Sequence, residues 1–163
     1  MAQKIEQTVH IGLDAGTASA IAEILKKHLA DQHVLYVKTR NFHWNVKGLR
    51  FTELHKLFEE QYTQLAEAID SMAERIRMLG AAAPGSMSEF LALTRLSEHK
   101  GRVPKDTEMI AELLGDHEAI IRQLREDIDT VDGDLGDAGT ADFLTALMQD
   151  HEKTAWFLRA HLE

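Results

Sequence analysis

Apolar residues recur at steps of three and four over four long stretches of the chain, and the two-residue alternation of a half-buried strand is absent. Ile21, Leu25, Leu29, Leu35, Phe42 and Val46, with Gln32 and Thr39 in register, predict a first helix over about 17–46. Thr17 is its expected N-cap, and Gly48 lies just past its end. A second stripe of Leu54, Leu57, Phe58, Leu65, Ile69, Met72, Ile76 and Leu79 predicts a helix over about 53–79, with Thr52 as N-cap and Gly80 as stop. The segment 81–101 reads as a connection carrying a short helix around 88–96. Pro104 marks the start of a third helix, which buries Ile110, Leu113, Leu114, Ile121, Leu124, Ile128 and Val131 and ends at Gly133, Gly136 and Gly139. Thr140 then caps a fourth, with Leu144, Leu147, Met148, Ala155, Leu158 and Leu162 on one side.

Four long amphipathic helices with one long connection in the middle predict an all-α, ferritin-like four-helix bundle with a short helix in the crossover between helices two and three. Residues 17–163 form that single domain, and 1–16 read as an N-terminal extension.

Composition narrows the function classes. The chain has no cysteine, which excludes disulfides and thiolate zinc sites. It has no apolar run long enough to cross a bilayer and no secretion signal, so a cytoplasmic location is expected. Its formal charge is −9, from 27 acidic and 18 basic side chains. Such a surface repels phosphate backbones and attracts cations. No basic arm offsets it, since Lys4 is the one lysine before Lys26.

A di-iron site inside a ferritin-like bundle needs Glu-x-x-His on two helices. No glutamate here has a histidine three residues on, so any iron site must lie elsewhere. His43, His55, Glu59, Asp70 and Glu74 supply imidazole and carboxylate, a donor set suited to iron. His55 and Glu59 share a helix face, as do Asp70 and Glu74, but His55 and Asp70 are fifteen positions apart. At about 1.5 Å per residue that is about 22 Å, too far for one metal. Two antiparallel copies of helix two, related by a two-fold axis, would bring His55 of one chain beside the acidic pair of the other and make two equivalent sites. The plainer alternative is a solvated face, with Asp70 and Glu74 paired to Lys56, Arg75 or Arg77.

Several stretches carry a family likeness. Lys38–Gly48 (KTRNFHWNVKG), Phe51–His55 (FTELH) and Ile69–Ile76 (IDSMAERI), with Asp116-His117-Glu118 and Trp156-Phe157, closely resemble the Dps family of miniferritins, and the resemblance extends from about residue 17 to 163. It implies a hollow dodecamer that oxidises Fe(II), preferentially with hydrogen peroxide, with oxygen as the other candidate oxidant, and stores Fe(III) mineral. It also implies His43, His55, Asp70 and Glu74 as ferroxidase ligands, Glu59 as a further acidic ligand, and zinc as a substitute for iron at the same site. Trp44 matches the family's tryptophan beside the site, as core packing or as electron donor. Acidic residues near Asp127, Asp129, Asp132, Asp134 and Asp137 line entry pores in the family; Asp127, Asp132 and Asp134 are the candidates. Many members bind DNA through a lysine-rich tail, and the N-terminus here departs from that pattern; nucleoid association is the alternative location. A DNA-compacting protein and a metal-buffering cage with little oxidase activity are the alternatives. His117 and His151 read as hydrogen-bonded core histidines or a second metal site; His28 and His33 are open between the same readings, and the six methionines read as core filler.

Overall fold

A computed structural model describes residues 9–163. Residues 1–8, half of the N-terminal extension, lie outside the described residues. Among the described residues five helices form: α1 (Ala15–Asn45), α2 (Phe51–Met78), α3 (Met87–Leu93), α4 (Asp106–Asp129) and α5 (Ala138–Ala160), with a π-helical turn at Thr130–Asp134 after α4. Among the described residues there is no strand. Short turns join α1 to α2 and α4 to α5. The two hairpins bury Phe42, Phe58, Leu29, Leu113, Ile120 and Leu144 between them, and the long crossover lays α3 against α1.

The helices stand where the periodicity puts them; most of their ends do not. Asp14, not Thr17, caps α1: its carboxylate accepts the Gly16 and Thr17 amides at 2.9 and 3.0 Å and the Thr17 hydroxyl at 2.6 Å. A carboxylate with two oxygens satisfies more of the first turn's free amides than a hydroxyl does. Thr52 does not cap α2, because the chain enters that helix through Arg50, which is held by tertiary bonds to Asp106 of α4 (3.0 and 2.8 Å) and to the His161 carbonyl (3.3 Å). Gly80 does end α2, with φ +86°. The crossover helix begins and ends earlier than 88–96. A reciprocal Ser86–Glu89 box opens it, and Asp31 of α1 closes it by accepting the Thr94 hydroxyl and the Arg95 amide and Nε. Pro104 lies two residues before the start of α4. Gly133 sits inside the π turn, and Gly139 is in the first turn of α5 rather than before it. Asp137 replaces Thr140 as the cap of α5; Thr140 donates to it instead.

Candidate metal centre

α1 delivers His43 on its last turn and α2 delivers His55 on its second. Their rings stack with centroids 3.8 Å apart. Each Nδ1 bonds to the other's backbone oxygen, His43 to His55 at 2.7 Å and His55 to His43 at 2.8 Å. A carbonyl only accepts, so each ring carries its proton on Nδ1. In the neutral ring Nε2 is then a lone pair free for a metal, which is the arrangement of a ligating histidine oriented through its other nitrogen. Tyr62 packs edge-on against His43 at 5.2 Å and Phe51 lies 5.1 Å from His55. The Arg40 guanidinium sits over Trp44, Tyr62 and Tyr36 at 5.0, 5.1 and 5.6 Å and donates to the Tyr36 hydroxyl.

The carboxylates are not gathered here. Glu59 is exposed on α2 one turn after His55, and Asp70 and Glu74 are exposed farther along the same helix. Among the described residues no three His, Asp or Glu side chains converge on a metal position. The arginines next to the acidic pair are engaged elsewhere: Arg75 reaches Thr140 and Asp137, and Arg77 reaches the Ala81 carbonyl. Trp44 is 63% exposed, which removes core packing as its role within the chain.

Two of the five aspartates near the end of α4 have internal duties. Asp127 accepts from His28 Nε2 (2.7 Å) and from Arg95 (3.3 Å). Burial pushes its pKa up, but these two partners outweigh it and the net shift is downward. Asp137 is buried as the α5 cap; its pKa is likewise raised by burial and lowered more by Thr140 and Arg75. Asp129, Asp132 and Asp134 are exposed. His33 stacks on Phe90 at 3.7 Å and bonds to the Leu29 carbonyl, and burial lowers its pKa. His117 and His151 form a buried pair, Nδ1 to Nδ1 at 2.8 Å. Burial holds His117 down at about 3 and His151 well below the ordinary value, the latter helped by His117 and His28.

Tyr62, Tyr36 and Arg40 were not among the candidates from sequence. Tyr62 stands seven residues after His55, on its helix face, which was the available signal.

Comparison with known proteins decides the family. The Ferritin family, described as "Ferritin-like domain", matches residues 22–163. An uncharacterised low temperature-induced protein of Nostoc sp. is 47% identical over 155 residues, covering 95% of this chain and 87% of that protein. DNA protection during starvation protein 2 of Bacillus anthracis is 36% identical over 87% of this chain and 96% of its own. The chain belongs to the Dps family of ferritin-like proteins. Solved Dps structures agree. The Vibrio cholerae protein, described as a member of a broad superfamily of ferritin-like diiron-carboxylate proteins, has a TM-score of 0.89 at 33% identity, covering 96% of this chain and 98% of that one. DpsC of Streptomyces coelicolor has a TM-score of 0.95 at 28% identity, covering 100% and 96%. Dps membership ties the chain, in general terms, to iron storage and protection from oxidative damage.

Proposed function

We propose that this Dps chain is a ferroxidase subunit that oxidises Fe(II), preferentially with hydrogen peroxide, and stores the Fe(III) product inside a dodecameric shell in the cytoplasm. The observation that carries the reading is the locked His43–His55 pair, with both Nε2 atoms free, on a helix whose acidic pair stands exposed about 22 Å away. On this reading half of the metal site lies at one end of α2 and the other half near its far end. A two-fold neighbour with α2 antiparallel would join His43, His55 and Glu59 of one chain to Asp70 and Glu74 of the other.

In that site the imidazoles take Fe(II) as substrate without giving up a proton, while the carboxylates supply the negative charge that favours the ferric product. Peroxide removes two electrons from two ferrous ions, so no hydroxyl radical is released. Trp44 and Tyr62, beside His43, are placed to supply an electron if only one iron is present. Zinc, which takes the same donors, is expected to compete. The exposed Asp132 and Asp134 are proposed to draw iron toward an entry pore, with Asp127 behind them held by His28 and Arg95. The −9 charge makes DNA binding weak.

The test is anaerobic loading with Fe(II) followed by titration with hydrogen peroxide, with mass determination on the same sample. Ferric absorbance should reach its plateau at half an equivalent of peroxide per iron, without hydroxyl adducts in a spin trap. A plateau at one equivalent, or strong adducts, refutes the paired two-electron reaction. Iron binding without any acceleration of its oxidation would leave a metal-buffering cage.

A further inference from the structure

The chain has two tyrosines and two tryptophans, and three of these four rings close on one guanidinium. Arg40 of α1 lies over Trp44 at 5.0 Å, over Tyr62 of α2 at 5.1 Å and over Tyr36 at 5.6 Å. Tyr36 and Trp44 stand one turn before it and one turn after it on the same helix. Its Nη1 donates to the Tyr36 hydroxyl at 2.8 Å, and its Nε is buried with no acceptor. Unlike Arg50, Arg75 and Arg95, it has no carboxylate within ion-pair distance among the described residues. A guanidinium that leaves a donor unpaired to lie on ring faces holds an uncompensated positive charge against those rings.

That charge does not weigh equally on the three rings once one of them is oxidised. Indole can lose an electron first and its proton later, so its oxidation passes through a cation. A guanidinium held 5.0 Å from the Trp44 ring opposes that cation, even at the effective dielectric of a protein surface. Phenol releases its proton together with its electron, because its cation radical is far too acidic to persist. The phenoxyl that remains is neutral, and the guanidinium does not repel it. Tyr62 is the phenol in contact with a prospective metal ligand, edge-on to His43 at 5.2 Å. Among the described residues no protein group holds its hydroxyl, and the ring is half-buried, so water can take the proton. Tyr36 stands one ring farther out, 6.1 Å from Tyr62, with its oxygen already accepting from Arg40.

We propose that Arg40 is a positioning residue that steers one-electron oxidation away from Trp44 and onto Tyr62. Its use in the cell rests on the ferroxidase reading of the His43–His55 half-site: it decides where the second electron comes from when a site holds a single ferrous ion. One Fe(II), the Tyr62 phenol, one hydrogen peroxide and one proton then give Fe(III), the Tyr62 phenoxyl radical and two waters. The O–O bond breaks, iron and Tyr62 each supply one electron, and the phenolic proton and one from solvent complete the waters. Peroxide is fully reduced, so no hydroxyl radical leaves the site. The oxidising equivalent rests on a half-buried ring rather than on an indole that is 63% exposed.

The experiment uses the assembled protein in a Trp156→Phe background, where Trp44 is the one remaining indole. In the metal-free protein, azide radicals made by pulse radiolysis oxidise Trp44, and the indole radical band should decay as the phenoxyl band rises. Tyr62→Phe should remove that rise, and Tyr36→Phe should keep it. Arg40→Gln removes the charge and keeps a hydrogen-bond donor; it should make the indole radical longer-lived by about tenfold or more. Arg40→Lys keeps the charge and should restore the transfer. A parallel sample holding one Fe(II) per site, mixed with peroxide and frozen, should give a tyrosyl signal in electron paramagnetic resonance, replaced by a tryptophanyl signal in Arg40→Gln. Transfer indifferent to Arg40→Gln, an Arg40→Lys protein that behaves as Arg40→Gln does, or a phenoxyl that survives Tyr62→Phe overturns the proposal. If the metal-free results hold while iron and peroxide give neither a radical nor faster oxidation, the ferroxidase reading fails and the steering by Arg40 stands.

Discussion

The proposed division of the ferroxidase site between two chains can be tested by complementation, and the geometry sets the yield. His55 and Asp70 lie about 22 Å apart along α2, whereas two ligands of one ion stand within about 4 Å of each other. His55→Ala and Asp70→Asn proteins should each be nearly inactive. If they are dissociated and reassembled at equal concentration, half of the two-fold pairs are mixed. In a mixed pair one site carries both lesions and the other carries none, so about one quarter of all sites are intact and about one quarter of the wild-type rate should return. The stacked histidines provide the control. His43 and His55 belong to the same half-site, 3.8 Å apart within one chain. A mixture of His43→Ala and His55→Ala subunits therefore leaves one lesion in every site and should recover nothing. Stopped-flow oxidation of Fe(II) by peroxide reads both mixtures, with subunit exchange verified by mass-tagged chains. No recovery in the first mixture, or equal recovery in both, refutes the shared site.

Four further outcomes follow from the geometry. His117 is held at about 3 against 6.5 for the free residue, so the unfolded chain takes up the proton first as pH falls. Its contribution to stability is complete above pH 6.5 and is lost at about 1.4 kcal/mol per pH unit toward pH 3, or about 2 kcal/mol by pH 5; a melting temperature that falls no faster in wild type than in a His117→Leu, His151→Leu variant counts against this. Asp31→Ala strips a buried carboxylate from Arg95 and Thr94 and should cost about 3 kcal/mol in denaturant titrations, with faster hydrogen exchange over 86–100; unchanged exchange there would mean the crossover is held by other contacts. Asp132→Asn with Asp134→Asn should slow Fe(II) uptake at low ionic strength and lose the effect as salt rises, while Asp70→Asn lowers occupancy of the ferroxidase site itself; uptake unaltered at low salt would assign iron entry to another route. Gel-shift assays at physiological salt should show little DNA retained by the iron-free assembly, and tight binding would reveal a clustered basic patch.

Local pattern was enough for the helices and too little for their ends. Leu25, Leu29 and Phe42 recur at helical spacing because one face of α1 must leave water, and that constraint is written along the chain. A cap is a competition among neighbours. Asp14 and Thr17 are both good candidates, and the carboxylate prevails because it can take two amides and the threonine hydroxyl together. Arg50 starts α2 without a local signal because its partners are 56 and 111 residues away. The candidate site divides in the same manner. His43 and His55 are twelve residues apart across a short turn, so their meeting could be anticipated from the two helices. The Gln32–His151 contact spans 119 residues and depends on how the two hairpins face each other, which no local spacing encodes.

The reciprocal bonds of His43 and His55 make each prospective ligand a strut of the α1–α2 corner. The nitrogens that brace the corner are not those left free for a metal, so an ion could arrive and depart without burdening the backbone. An empty half-site keeps its shape, and little order has to be created when iron arrives. If iron is oxidised there, the same separation would let the ferric product leave without loosening the turn that held it. The corner is a fixed jig, and under the proposed function successive ions would meet the same pair of imidazoles.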